Sequence, residues 1–349
     1  MKIVRAKFEG EIFYGELTDE GIIRYEGSPL VVWEPTEEKY SLDEIQLLAP
    51  VLPSKVTAVA KNYEKHAFEL GVHDYTAPNN PVFFNKPSTS VIGTGESIIY
   101  PPIGQHVDHE AELAIVIGKL SKNLTKDNWM DSVLGLTIAN DLSERILQGQ
   151  DGTFNGNFTR AKSFDTFCPL GPAIQTNFDQ NPELNIKCFV NDELKQDGNT
   201  RDMIFSIGEI LEFVSSIMTL LPGDVILTGT PDGVSKVQPG DEIKIEMLNG
   251  DILEAKVLGT DPKTDIALLK VESKSELPFV KFGNSDQARV GDWVLAIGNP
   301  LGQGFSVSAG INSARGRELQ GPYDELIQTD AAINRGNSGG PIFNTDGKV

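Results

Sequence analysis

A short run of β-favouring apolar residues, with two glutamates near its start, constrains this chain more than any other stretch. The run covers residues 108–118, and Glu110 and Glu112 lie two positions apart within it. Its composition predicts a buried strand, and residues i and i+2 of a strand point to the same face. The two carboxylates are therefore predicted to lie side by side.

Paired carboxylates on one strand face have two interpretations. Like charges repel, and burying them without compensation is costly. A solvated acidic face avoids that cost, and so does a hard cation, since carboxylate oxygens and water suit Mg²⁺ or Mn²⁺. The spacing alone leaves both interpretations open.

A second pair of ionisable residues lies on a predicted short helix that Gly71 ends. His66 and Glu69 are three positions apart, so they share a helix face. A carboxylate beside an imidazole fixes its tautomer and raises its basicity, as a general base requires. The same spacing is also typical of an ordinary contact on a helix surface.

Six collinear motifs resemble the fumarylacetoacetate hydrolase family over about residues 1–247. They cover residues 62–69, 84–88, 108–118, 140–145, 161–172 and 223–231. The resemblance implies a mainly β fold with some α, of the mixed β-roll or sandwich type. It also implies a small β-rich N-terminal domain over 1–55 and a catalytic domain over 56–247.

The resemblance also assigns site residues. It implies metal ligands at Glu110, Glu112 and Asp141 for Mg²⁺ or Mn²⁺, the last at the end of a predicted strand. It implies catalytic roles for His66, Glu69 and Lys162. It implies substrate contacts at Arg145, Gln148 and Thr230. Taken alone, Lys162 could equally be a salt-bridge lysine, Arg145 a surface charge and Gln148 a surface amide.

The implied activity is metal-dependent hydrolysis, decarboxylation or isomerisation of a small 2-oxo acid through a stabilised enolate. Acylpyruvates, oxaloacetate and hydroxymuconate-type diacids are the candidate substrates, and the motifs do not separate them. A homodimer formed through the hydrolase-like domain is also expected.

Residues 248–349 resemble a different family, the trypsin-like proteases of the high-temperature-requirement (HtrA) group. The resemblance places a nucleophile at Ser338, an oxyanion hole from Gly336 to Ser338 and a triad carboxylate at Asp265. It implies a partial trypsin-like β-barrel.

This protease-like segment lacks a general base. All four histidines precede residue 110, and the sequence ends shortly after Ser338. A serine hydroxyl needs a base to accept its proton, so no peptidase activity is expected.

The join between the two resemblances carries no Pro/Ser-rich linker and is predicted to fall in a β-hairpin over about 245–257, signalled by Asn249 and Gly250. A recombined or misassembled reading frame is one explanation. Two alternatives are a non-catalytic peptide-binding protein that uses the protease remnant, and a chimeric chain whose tail is unfolded.

Composition narrows the partners and the compartment. A formal net charge of −20 over 349 residues argues against nucleic acid. No apolar run reaches membrane-spanning length, so no membrane partner is expected. Two cysteines indicate a reducing compartment and hence a cytoplasmic protein.

Overall fold

The structure, a computed structural model, describes residues 1–69, 76–150, 157–249, 255–261, 266–271, 279–298, 306–317, 326–334 and 337–349. The chain divides into two compact units, Met1–Gly250 and Asp251–Val349. Each unit is described by itself below.

The first unit contains seventeen strands among its described residues. They are β1 (Lys2–Phe8), β2 (Glu11–Thr18), β3 (Gly21–Gly27), β4 (Trp33–Tyr40), β5 (Gln46–Leu48), β6 (Val56–Ala60), β7 (Val82–Lys86), β8 (Val91–Ile92), β9 (Val107–Asp108), β10 (Ala111–Ile117), β11 (Val133–Asn140), β12 (Ser143–Glu144), β13 (Cys168–Gln175), β14 (Leu184–Val190), β15 (Glu193–Asn199), β16 (Val225–Leu227) and β17 (Ile243–Asn249).

Its helices are few and short. The α-helices are α1 (Glu64–Glu69), α2 (Phe158–Lys162) and α3 (Ile207–Ile217), and one π-helical turn spans Ile146–Gln150. Single 3₁₀ turns lie at Leu42–Glu44, Ser88–Ser90, Trp129–Ser132 and Thr200–Asp202.

A large mixed sheet forms the framework of this unit. Its strand order is β4-β3-β2-β1-β13-β11-β10-β16-β6-β7, with β5 paired to β1 and β8 paired to β13. The N-terminal strands join it through the antiparallel pair β1–β13, in which Lys2 lies opposite Gln175. Two smaller sheets, β12-β9 and β15-β14-β17, complete the unit. The division into domains 1–55 and 56–247 stays a prediction.

Strand β10 lies at the centre, and all seven of its residues are buried. Leu113, Ile115 and Ile117 pack in one apolar cluster that also includes residues of α3, whereas Ala114 and Val116 belong to a cluster on the other face. Because both faces of the strand pack against apolar side chains, its sequence is a continuous apolar run rather than an alternating pattern. Each fully buried Leu or Ile contributes about 1.5–3 kcal/mol.

Helix α3 begins at a capping box. The Ser206 hydroxyl accepts from the backbone N–H of Glu209, and the Glu209 carboxylate accepts from the Ser206 backbone N–H. Ile210, Leu211 and Val214 are fully buried. The helix thus covers the sheet face beneath β10.

The predicted hairpin over about 245–257 lies partly outside the described residues, which end at Asn249 and resume at Ala255. Strand β17 pairs with β14, with Asn249 opposite Leu184.

The second unit is also built from strands. They are β18 (Ala255–Asp261), β19 (Ile266–Val271), β20 (Trp293–Gly298), β21 (Ser306–Arg317), β22 (Leu326–Thr329) and β23 (Ile342–Asn344), with one 3₁₀ turn at Ser285–Gln287. β18 pairs with β19, and the other four form an open sheet in the order β22-β21-β20-β23. No closed barrel occurs among the residues described here.

The predicted mainly β fold is confirmed. No helix in the described part of the chain has the length and apolar character needed to cross a membrane.

Candidate active site

Three carboxylates converge at one end of β10 and β11. Glu112 lies on β10, Glu110 is the residue directly before β10, and Asp141 is the residue directly after β11. The two strands are antiparallel, with Ala111 opposite Asn140. The backbone N–H of Asp141 donates to the Glu110 carbonyl at 2.8 Å, which fixes the two residues side by side.

The three side chains can act on one ion. One carboxylate oxygen from each residue lies within 4.8 Å of the others. All three residues are buried, at 3% exposure or less. Carboxylate oxygens at this spacing are the donor set that Mg²⁺ and Mn²⁺ prefer.

Two of the carboxylates are neutralised by buried cationic side chains. Lys162 Nζ lies 2.7 Å from Glu110 Oε2 and 2.6 Å from Asp141 Oδ2. Lys86 Nζ lies 2.5 Å from Asp141 Oδ1, and Arg145 Nη2 lies 2.5 Å from Glu110 Oε1. Burial raises the pKa of Glu110, but the positive charges of Lys162 and Arg145 together have the larger effect and hold that pKa well below the ordinary value.

Glu112 differs from its two neighbours. It accepts a hydrogen bond from the Gly229 backbone N–H at 2.7 Å, and within the described ranges it forms no ion pair with a lysine or arginine. Burial, together with the charges of Asp141 and Glu110, raises the pKa of Glu112 well above its ordinary value. The cluster is therefore short of positive charge at this carboxylate.

A buried phenol adds an unsatisfied polar atom near the same carboxylate. Tyr63 is 2% exposed, and its hydroxyl has no hydrogen-bond partner in the described part of the chain. Burial and the negative charge of Glu112 raise its pKa. Buried hydroxyl groups normally find a partner, so Tyr63 lacks a hydrogen-bonding partner where Glu112 lacks a cationic one. The residues present therefore fit a divalent ion with oxygen ligands.

The predicted His66–Glu69 pair forms. His66 Nδ1 lies 3.3 Å from Glu69 Oε2, and His66 is 5% exposed. Burial raises the pKa of Glu69, but hydrogen bonds from His66 and from the Gly233 backbone N–H, the latter at 3.0 Å, lower it on balance. His66 is close enough to Glu110 for a charge on its imidazole to lower the pKa of that carboxyl.

The three predicted substrate contacts occupy different environments. Arg145 is buried, and its Nε donates to Asp108 Oδ2 at 2.7 Å. Its Nη1 donates to the side-chain oxygen of half-buried Gln148 at 2.9 Å. Thr230 is 3% exposed, donates to the Ala111 carbonyl at 2.9 Å and accepts from Gln196. Their contacts with a substrate remain predictions.

Comparison with known proteins decides the family. The model described as fumarylacetoacetate (FAA) hydrolase C-terminal matches residues 55–260, more than half of the chain. This chain belongs to the fumarylacetoacetate hydrolase family. A model described as Rv2993c-like, N-terminal, matches residues 1–50.

Relatives within the family include enzymes. Mitochondrial oxaloacetate tautomerase Fahd2a of Rattus norvegicus is 40% identical over 225 residues, covering 62% of this chain and 70% of that protein. The structure of 5-carboxymethyl-2-hydroxymuconate delta-isomerase from Mycobacterium smegmatis is 38% identical, with a TM-score of 0.64 over 71% of this chain and 95% of that one. The structure of 2-hydroxyhepta-2,4-diene-1,7-dioate isomerase from Mycobacterium marinum is also 38% identical, with a TM-score of 0.62 over 71% of this chain and 94% of that one.

The C-terminal segment lies largely beyond the fumarylacetoacetate hydrolase match. A model described as trypsin-like peptidase domain matches residues 223–349 and overlaps that match. Ser338 is exposed in a turn, while Asp265 and Gly336 lie outside the described residues. The inactivity of this segment as a peptidase remains a prediction.

The sequence did not single out two buried residues that lie beside the carboxylate cluster. Lys86 pairs with Asp141, and Asp108 anchors Arg145 and also contacts His106 Nε2 at 2.8 Å. Lys86 falls within a motif of the resemblance, at residues 84–88, so the signal was present. Nothing in the local sequence reveals its partner, which lies 55 positions later.

Proposed function

We propose that this chain is a metal-dependent enzyme that moves a proton on a small 2-oxo acid and so interconverts its keto and enol forms or shifts its double bond. The observation that carries the proposal is a buried carboxylate cluster, in which Glu112 has no cationic partner among the described residues, near the His66–Glu69 pair. The tautomerase and isomerase relatives support this reaction type. Hydrolysis or decarboxylation of related 2-oxo acids is the alternative.

Glu110, Glu112 and Asp141 would hold the ion, with Mg²⁺ or Mn²⁺ as the candidates. A divalent ion at this site supplies Lewis acidity, which lowers the cost of negative charge on the oxygen of a nearby 2-oxo group. Lys86 pairs with Asp141, and Lys162 pairs with both Asp141 and Glu110, so both carboxylates are held in place when the ion is absent.

The His66–Glu69 pair would move the proton. Glu69 accepts at Nδ1 of the imidazole, which leaves Nε2 as the basic nitrogen. Nε2 would take a proton from the carbon next to the 2-oxo group, leaving the electron pair delocalised onto the oxygen. The proton would then return to oxygen or to another carbon, so atoms and charge balance.

Lys162 and Gln148 would face the anionic substrate, and Arg145 would orient Gln148. Lys162 brings a buried ammonium to the site, where it would oppose developing negative charge. Arg145 occupies the Gln148 side-chain oxygen, so the Gln148 amide N–H groups are the ones that would face a carboxylate.

A substrate panel tests the proposal. Oxaloacetate, acylpyruvates and unsaturated hydroxy-diacids would each be assayed on the whole chain with Mg²⁺ or Mn²⁺. We expect tautomerisation or isomerisation of at least one, and its loss in Glu110→Gln together with loss of ion binding. Glu11→Gln, which alters an exposed glutamate paired with Arg24, is the matched control. Full activity in Glu110→Gln would refute the site.

A further inference from the structure

A buried amide connects the carboxylate strand to the turn that holds Glu69. Gln196 on β15 is 0% exposed. Its oxygen accepts from the Ala111 backbone N–H at 3.0 Å and faces His109 Nδ1 at 3.1 Å. Its nitrogen donates to Thr230 Oγ1 and to the Pro231 carbonyl, both at 2.8 Å. Every donor and acceptor of the amide is therefore used, which leaves it one orientation.

The orientation of Gln196 determines the tautomer of His109. An amide oxygen can only accept, so Nδ1 of His109 must carry the proton. Cys188 Sγ lies 3.3 Å from the same nitrogen, where sulfur acts as a weak second acceptor. The other ring nitrogen, Nε2, therefore accepts, and its partner 3.0 Å away is the hydroxyl of Ser235.

Ser235 belongs to the turn that binds Glu69. The Gly233 backbone N–H donates to Glu69 Oε1 at 3.0 Å, two residues before Ser235. Gly233 has φ +97°, and a Cβ at this position would lie 2.1 Å from the Lys195 carbonyl. The turn thus packs against β15, the strand that carries Gln196, in a conformation open only to glycine.

We infer that Gln196, His109 and Ser235 form a positioning network that holds the Gly233 turn against Glu69 and thereby aligns the His66–Glu69 pair with the carboxylate strand. None of the three is a catalytic residue, because each acts through the turn. The loss of turnover expected from disturbing this network rests on the proposed function, whereas the structural link between Ser235 and His66 does not.

The hydrogen bond between Ser235 and His109 is the link of this network that a single substitution can remove. Ser235 is half-buried, so removing its hydroxyl admits water to His109 Nε2 and leaves the core intact. The turn then keeps only its other contacts, which include the Gln196 bond to the Pro231 carbonyl and the His109 N–H bond to the Ser235 carbonyl. We expect the Gly233 N–H to shift against Glu69, which it orients together with His66 and the Val234 backbone. Turnover should fall while binding of the metal ion, which uses other residues, stays unchanged.

The test compares Ser235→Ala with Ser235→Thr, which keeps the hydroxyl, in the whole chain. Ser121→Ala is the matched control, because it removes a hydroxyl that donates to the Lys119 carbonyl outside this network. If Ser235→Ala does not fold, Ser235→Cys, with a weak S–H donor, replaces it.

The first readout is ¹⁵N NMR of the four imidazoles, assigned with single His→Gln variants. We expect His109 as the Nδ1–H tautomer in the unaltered chain. In Ser235→Ala both the His109 and the His66 resonances should shift, and in Ser235→Thr and Ser121→Ala the His66 resonances should stay in place. A His109 protonated at Nε2, or His66 resonances that do not move in Ser235→Ala, would overturn the inference.

The second readout is steady-state kinetics on a substrate from the panel. We expect kcat of Ser235→Ala to fall about tenfold, the equivalent of one neutral hydrogen bond, with KM and the Mg²⁺ dissociation constant unchanged and kcat restored in Ser235→Thr. An unchanged kcat would also overturn the inference. A chain that turns over no substrate but shows the His66 shift would refute the proposed function and leave the network standing.

Discussion

Replacing Lys86 by methionine should destabilise the chain strongly without metal and much less with it. The Lys86 side chain is fully buried, and its only anionic partner among the described residues is Asp141, 2.5 Å away. Methionine fills a similar volume but supplies no charge, so Asp141 would keep only Lys162 as a cationic partner. A divalent ion bound to Asp141 would replace part of the lost charge.

The expected size of the effect follows from the burial of the pair. Removing one partner of a buried ion pair costs about 3–5 kcal/mol. Because Lys162 still contacts Asp141, we expect the lower end, about 3 kcal/mol. For a unit of this size that corresponds to a fall of roughly 6–12 °C in melting temperature. Saturating Mg²⁺ should reduce this loss of unfolding free energy to about half. If Lys86→Met binds the ion tenfold more tightly than the unaltered chain does, the ion alone recovers about 1.4 kcal/mol.

The assay is denaturant unfolding followed by tryptophan fluorescence in a Trp293→Phe background. The signal then comes from Trp33 and Trp129, both in the first unit. Lys55→Met is the matched control, because Lys55 pairs with buried Asp224, which is not part of the carboxylate cluster. Its loss of stability should not respond to Mg²⁺. A metal-free Lys86→Met variant as stable as the unaltered chain, or a deficit that Mg²⁺ leaves unchanged, would refute the reasoning.

Three further predictions test separate parts of the account. Tyr63→Phe should leave the free energy of unfolding unchanged or raise it, because the hydroxyl has no partner among the described residues. The same variant should have a lower kcat/KM. A stable variant with full activity would show that the hydroxyl plays no part in the reaction. Burial raises the pKa of Cys168 and Cys188 to about 12, so at pH 8 alkylation by iodoacetamide, measured by mass spectrometry, should be about a thousandfold slower in the folded than in the unfolded chain. The sign follows from the raised pKa: the fold favours the protonated thiols, and their contribution to stability is lost only as the pH rises above about 9 toward 12. Casein hydrolysis should be absent, and any hydrolysis that disappears in Ser338→Ala would contradict this.

Local sequence was enough to predict the elements that carry the site. The apolar run identified β10, and the i, i+3 spacing identified the His66–Glu69 pair. These signals are local, because strand period and helix-face spacing are both properties of a few neighbouring residues.

Long-range partners could not be read in this way. Lys86 and Asp141 are 55 positions apart, and His109 contacts residues 87 and 126 positions later. Their pairing depends on strand order, which a single sequence does not encode as a local pattern. The pairing of Asn249 with Leu184, 65 positions earlier, is a further example.

Glu112 provides the most direct test of the central claim, that three carboxylates bind one divalent ion. Glu112→Gln removes a charge that has no ion-pair partner in the described residues, and the amide oxygen can still accept from Gly229 N–H. Calorimetric titration with Mn²⁺ and Mg²⁺ should show one site per unaltered chain and none in the variant, while denaturant unfolding shows the metal-free variant at least as stable as the unaltered chain. Equal ion affinity in the two proteins would contradict the account.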